Sequence, residues 1–338
     1  MKILMTSEFF YPHIGGIETV TEYLADEFTR MGHEVKIVTT TQETDDRVFT
    51  YEVLRKPSVK QLWRAYNWCD VFVHQGISLK KVWPLLIKKK PWFVIYHQVY
   101  FQSGIKGRIK KFLSYFAHNI AVSKTTYNGY GLSSGVVIYN SYSSKNFKSL
   151  NLTSKRTGII FVGKLSKEKG VYVLLDAFEK MKKTKDINEK LILVGDGPQR
   201  AEIENYARTL TTSKDIEFLG FKSPHEICIL LNKAKVQVVP SVAPEAFGVV
   251  VLEGLACGCL VIGSDGDGIK EALNDCGLVF KKGSSSSLCS QLLNIYSMDN
   301  EKLNILKINA KKWLAHLSLR NVAEQYINEF SKYYKNEN

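Results

Sequence analysis

The stretch Pro240-Ser-Val-Ala-Pro-Glu-Ala-Phe-Gly-Val-Val-Val-Leu-Glu-Gly-Leu-Ala-Cys-Gly258 decides the fold. An apolar run, Val236-Gln-Val-Val-Pro240, leads into it and reads as a buried strand. Val250, Val251, Gly254 and Leu255 then fall at helical spacing, and a short loop with Pro244, Glu245 and Gly248 lies between. The unit is strand, loop, helix, with Gly248 close to the helix start. A helix start presents N–H groups without intrahelical partners and the positive end of a dipole, which favours a phosphate. Glu245 before the helix and Glu253 inside it suit ligand hydroxyls better than phosphates. Hydroxyls and phosphates on one ligand describe a nucleotide sugar. An ordinary α/β unit could also hold such acids, one as a cap and one as a solvated helix position, so the neighbouring residues carry the distinction.

Those neighbours, Pro240-Ser241, Phe247-Gly248, Leu252-Glu253 and Ala256-Cys-Gly258, resemble the signature of the retaining glycosyltransferases of family four. That family pairs two glutamates at the spacing of Glu245 and Glu253. The resemblance implies an α/β chain of GT-B architecture: two Rossmann-like domains with parallel sheets facing a central cleft.

A chain of 338 residues suffices for two such domains. With 45% hydrophobic and 23% charged residues it is globular, not disordered. No apolar run reaches the roughly 18 residues of a spanning helix. Met1 to Glu8 turns polar too soon for a signal peptide and reads as a first strand. Six cysteines without a zinc-type double pair are expected to be reduced thiols, so a cytoplasmic setting is expected. The net charge of +13 is uneven: residues 54–148 hold sixteen Lys or Arg and one acid, Asp70. Such a surplus implies an anionic partner, and an anionic membrane surface, the inner face of a bacterial cytoplasmic membrane, is the setting expected. No nucleic-acid motif accompanies the charge, and no nucleic-acid partner is expected.

Lys2–Thr6, a loop with Gly15 and Gly16, a helix with Val20, Leu24 and Phe28 on one face, and Glu34–Thr40 form a β–α–β opening. It lacks G-x-G-x-x-G and an acid after the second strand, so it is not a dinucleotide fingerprint. Val71–His74 and Trp92–Tyr96 read as further strands, with His97 at a strand end. Ile105–Phe116 places Ile105, Ile109, Phe112, Leu113 and Phe116 on one face among four cations. It reads equally as a membrane-surface helix or as a domain helix with a core stripe. Residues 140–157 read as a linker and Ser284–Ser287 as a short loop. A last helix is expected from Ala310 to Tyr334. The expected domains are 1–148, acceptor-binding, and 149–314, nucleotide-sugar-binding, with about 315–338 packing back on the first. Asp265-Gly-Asp267 looks like a D-x-D metal site of another glycosyltransferase fold, but its place in the turn after a strand argues against that.

The resemblance implies roles residue by residue. His97 and Glu245 face the transferred sugar. Glu253 holds the ribose. Lys164 and Lys169 clamp the pyrophosphate, helped by backbone N–H groups at Gly16, Val249 and Val250. Gly195, Phe218 and Gly220 lie in the neighbourhood that cups the base, and Gly15, Phe247 and Gly248 complete the donor loops. No metal or other cofactor is expected beside the nucleoside diphosphate sugar, and the acceptor is expected to be a glycan or a lipid-linked glycan precursor. Rival activities on the same architecture are a phosphorylase and a nucleotide-sugar epimerase.

Overall fold

The computed structural model describes residues 1–334 apart from Ile14, 43–46, 101–102, 151–155 and Asp186. Ile14 of the glycine loop, 151–155 of the expected linker and 335–338 of the segment expected to pack back on the first domain therefore lie outside the described residues. The chain forms two compact units, Met1–Ser141 with Leu317–Asn338, and Tyr142–His316.

The first unit holds a seven-stranded, wholly parallel sheet of β1 (Lys2–Thr6), β2 (Glu34–Thr39), β3 (Glu52–Arg55), β4 (Val71–Gln75), β5 (Trp92–Tyr96), β6 (His118–Ala121) and β7 (Val136–Val137). The spatial order is β3-β2-β1-β4-β5-β6-β7. β4 and β5 are buried along their whole length, which is why they read as continuous apolar runs. The order reverses between β1 and β4, the switch point at which such sheets receive ligands.

Helix Ile105–Ser114 does not bury the apolar face that a core stripe would. Ile105, Phe112 and Phe116 are more than 60% exposed and Ile109 is 43% exposed, while Gly107 and Ser114 are buried. The core-stripe reading fails because the helix packs through Gly107, Ser114 and the half-buried Leu113, turning the larger residues to solvent.

The expected last helix is two helices, Asn300–His316 and Leu319–Tyr334. Ser318 breaks them apart: its side chain and its carbonyl accept from Asn321 N and Val322 N, the geometry of a new helix start. Trp313, on the earlier helix, donates Nε1 to Ala272 O within the second unit. Tyr326 and Phe330, on the later one, stack edge-on against Phe28 of the first.

The second sheet contains β8 (Ile159–Val162), β9 (Leu191–Val194), β10 (Ile216–Gly220), β11 (Val236–Val239), β12 (Leu260–Ser264) and β13 (Leu278–Phe280), again all parallel. Its order is β10-β9-β8-β11-β12-β13, with the reversal between β8 and β11. The unit begins at Tyr142, before the boundary expected at 148. The Asn232 side chain donates to Lys148 O (2.9 Å) and accepts from Leu150 N (2.7 Å), which ties residues 148–150 to the second unit. Ser284–Ser287 is not a loop. Ser284 caps helix Ser285–Ser297 by accepting from Ser287 N, so a serine run serves as a helix start.

Candidate functional site

The loops leaving β8 and β11 meet at the switch point of the second sheet. Val242 N and Ala243 N both donate to Glu168 O, at 2.9 and 3.1 Å. Gly170 allows this closeness. Its φ is +71°, and a Cβ there would collide with Pro240 O. Gly170 also opens helix Val171–Thr184, directly after the 3-10 turn Lys167–Lys169.

This interlock brings Lys169 onto Glu245. The two form an ion pair through Glu245 Oε1, which also accepts from Ser241 Oγ at 2.9 Å. Ser241 is 2% exposed, so the carboxylate is held from a rigid base. Three residues further on, Gly248 starts helix Val249–Ala256 with a φ of +88°. Val249 and Val250 are its first-turn residues, whose N–H groups have no acceptor one turn earlier in the helix. The helix lies close on β11 because position 254 is glycine: a Cβ there would collide with the Gln237 side chain, which donates Nε2 to Val250 O at 3.1 Å.

The carboxylate of Glu253, on this helix, has no hydrogen-bond or ion-pair partner among the described residues. Burial pushes its carboxyl up to about 7. An ionisable group left unpaired in a switch-point crevice is a feature of binding sites more than of packing.

Lys164, just after β8, is exposed and forms no ion pair among the described residues. Gly195 follows β9 and donates its N–H to Gly220 O at 2.9 Å, so both sit where β9 and β10 end. Phe218 is half buried against the core on β10. Phe247 is 1% exposed, so its ring belongs to the core and only its backbone borders the loop. Asp265 pairs with Lys270 (3.0 Å) and Asp267 with Lys282, so the D-x-D acids are both engaged by lysines. Among the described residues no three His, Cys, Asp or Glu cluster as metal ligands would.

In the first unit His97 follows β5 directly. Its Nε2 is 2.6 Å from Gln75 Oε1, and with that acceptor the ring proton sits on Nε2 and the lone pair on Nδ1. Burial holds the imidazole down at about 4, so it is neutral near pH 7. Gly15 caps helix Gly16–Arg30 in extended conformation, and the Glu18 carboxylate folds back over it. Gly16 has open space around it.

Two residues of this geometry escaped the sequence reading as functional groups. Ser241 lay within the quoted signature without a role, and Gln75 was cut off by ending its strand at His74. A polar residue at the last position of a buried parallel strand was the available signal for Gln75.

The sequence model of the family described as Glycosyl transferases group 1 matches residues 143–313. An uncharacterised glycosyltransferase of Methanocaldococcus jannaschii is 30% identical over 331 residues, covering 90% of each chain. Among solved structures, a glycosyltransferase of Rickettsia africae superposes with a TM-score of 0.82 at 18% identity, covering 99% of each chain. HepE of Anabaena, solved with UDP and glucose, gives 0.79 at 20% identity, covering 98% of this chain and 99% of its own. The two parallel-sheet, Rossmann-like units are those of the GT-B fold. With the family model spanning half its length and a full-length relative at this identity, the chain belongs to the group 1 glycosyltransferases.

Proposed function

We propose that this glycosyltransferase moves a sugar from a nucleoside diphosphate sugar to an acceptor hydroxyl with retention of anomeric configuration. The observation that carries the reading is the interlock of Glu168 and Gly170 with Pro240–Ala243, which sets Lys169 and Glu245 beside a helix start. Support for a nucleotide donor also comes from HepE, solved with UDP and glucose.

Lys169 pairs with Glu245. A diphosphate arriving at Lys164, Lys169 and the N–H groups of Val249 and Val250 exchanges partners with that pair. Lys169 turns to the phosphate, and Glu245 is released to accept from hydroxyls of the sugar. Charge building on the departing diphosphate is then met by fixed donors and cations, the largest contribution available to such a reaction. Lysine in place of arginine keeps charge there without bidentate geometry. Glu253 accepts from the ribose, and His97 is assigned to the transferred sugar on the family resemblance. Front-face attack, with the leaving phosphate taking the acceptor proton, gives retention. No metal is required if these cations suffice.

Nucleoside diphosphate should be released only when acceptor is present, which separates transfer from epimerisation. The product should keep the donor's configuration, and activity should be unchanged in excess EDTA. An inverted product overturns the mechanism, and activity lost in EDTA and restored by magnesium or manganese overturns the metal-free clamp.

The acceptor side of the proposal is a lipid-linked or membrane-surface glycan, with the chain attached peripherally. No helix among the described residues is long and apolar enough to cross a membrane. Helix Ile105–Ser114 instead offers exposed Ile105, Ile109 and Phe112 beside Lys106, Arg108, Lys110 and Lys111, and Leu86 and Ile87 are exposed next to Lys88–Lys90. Apolar side chains with flanking cations suit an anionic surface, each cation contributing about 1 kcal/mol before screening. Sedimentation with anionic vesicles should exceed that with neutral ones, fall steeply with salt, and weaken in the Lys106, Lys110 and Lys111 to Glu variant. Equal sedimentation with both vesicle types would refute the attachment.

A further inference from the structure

Lys81 is a buried cation that the proposed chemistry does not use. It is 6% exposed, and its ammonium donates to one backbone carbonyl, Ser7 O, at 3.0 Å. Among the described residues no acid lies within ion-pair reach of it. Burial pulls its titration down, opposed by the more distant Glu8.

Its position is the switch point of the first sheet. Ser7 follows β1 directly, Lys81 lies just beyond β4, and the order reverses between these two strands. The surroundings have unfilled hydrogen-bond capacity. Thr6 and His74 are register partners on β1 and β4. The Thr6 hydroxyl and both His74 nitrogens are buried without a partner, and His74 is held low by burial and by Lys81 itself. Where β4 ends, Gly76 turns the chain at a φ of +79°, and a Cβ there would meet nothing within 4 Å. A buried ammonium with spare donors, beside an open turn, is costly unless an anion completes it. Such a group at a ligand-receiving edge points to a ligand that supplies the anion.

We propose that Lys81 anchors a phosphate group of the acceptor, at the carboxyl edge of β1 and β4. This rests on the reading that the first unit holds the acceptor, and it narrows the acceptor class to phosphorylated sugars or phosphate-bearing lipids. Phosphate is preferred to carboxylate because the Lys81 ammonium fills one acceptor, Ser7 O, and has donors left over, and a phosphate brings more acceptor oxygens to them.

The test follows Lys81 directly by NMR of protein labelled with 13Cε-lysine. Lys81→Arg, which keeps the charge, identifies the resonance by its disappearance. Glycerol 1-phosphate should shift that resonance saturably and raise its titration midpoint by about 1 to 3 pH units, the effect of an opposite charge at contact distance. A water-soluble short-chain phosphatidic acid should do the same if the source is a lipid and outcompete glycerol phosphate. Glucuronate at equal concentration should have little effect. Indifference of the Lys81 resonance to both phosphates, or a response to glucuronate alone, overturns the proposal. Calorimetry with UDP and GDP on the same wild-type sample keeps the two readings apart. Nucleotide binding with an indifferent Lys81 sinks the anchor and spares the donor site, while the reverse spares the anchor.

Discussion

Glu253→Gln should melt at a higher temperature than the parent protein at pH 8, yet bind nucleoside diphosphate 10- to 100-fold more weakly. The first half follows from burial. The Glu253 carboxyl is pushed by burial from its ordinary 4.5 up to about 7, with no partner among the described residues to compensate. An acid raised in the folded state binds more protons folded than unfolded across pH 4.5 to 7, so stability falls with rising pH over that window. Below the window both states are protonated and nothing is lost. Above it the full cost of a dehydrated carboxylate stands. At about 1.4 kcal/mol per pH unit, discounted for partial exposure, that cost is on the order of 1–3 kcal/mol. A neutral amide of the same shape removes it, a gain of roughly 3–8 °C for a unit of this size. The second half follows from losing a charged acceptor, about 1.5–3 kcal/mol, or one to two decades. The affinity ratio of parent to variant should shrink as pH falls through 7, because the parent protonates and the variant does not. Calorimetry with nucleoside diphosphate and thermal melts at pH 4.5 and pH 8 decide it. A variant that is both less stable and weaker-binding at pH 8 would mean Glu253 is a packing residue.

That tension between stability and binding explains which parts of the molecule were legible in the sequence. Strands buried on both faces, such as β4 and β5, announce themselves as apolar runs, and parallel order follows from their alternation with helices. The stretch from Pro240 to Gly258 was legible because glycine, proline and two acids are needed at fixed places in one strand–loop–helix unit. What the sequence hid were contacts made at a distance along the chain. Nothing local in Lys169 says that it pairs with Glu245, and nothing local in Asn232 says that it holds Lys148 and Leu150 to the second unit. Periodicity gave the helix at Ile105–Ser114 but not its rotation, since an apolar stripe has the same spacing whether it meets a core or a membrane. Likewise Lys81 reads as one of many cations in a basic region until its burial is known.

Glu245→Gln and His97→Ala should each lower turnover 10- to 100-fold while leaving nucleoside diphosphate affinity near that of the parent. For Glu245 the pairing with Lys169 sharpens the expectation. Its carboxylate pairs with Lys169, so the amide leaves Lys169 without that partner. Affinity for the nucleoside diphosphate should then be equal or somewhat tighter, while the sugar loses a charged acceptor, again about 1.5–3 kcal/mol. Lys169→Met should do the opposite, losing affinity for nucleoside diphosphate because the diphosphate loses its cation. For His97 the geometry limits what the ring can do. Burial holds it at about 4 and Gln75 fixes the proton on Nε2, so Nδ1 is an acceptor across the working pH range and the ring is not an acid near neutrality. The pH profile of turnover should therefore show no limb near pH 6.5 that vanishes in His97→Ala. Gln75→Leu, which frees the ring to adopt the other tautomer, should reproduce part of the loss, while Gln75→Glu should largely preserve turnover by keeping an acceptor for Nε2–H. Turnover of the intact donor, measured beside calorimetry with the nucleoside diphosphate, distinguishes these cases. If Glu245→Gln, His97→Ala and Lys169→Met all weaken nucleoside diphosphate binding to the same degree, the three act through a common disturbance of the fold and the division of labour proposed for them is wrong.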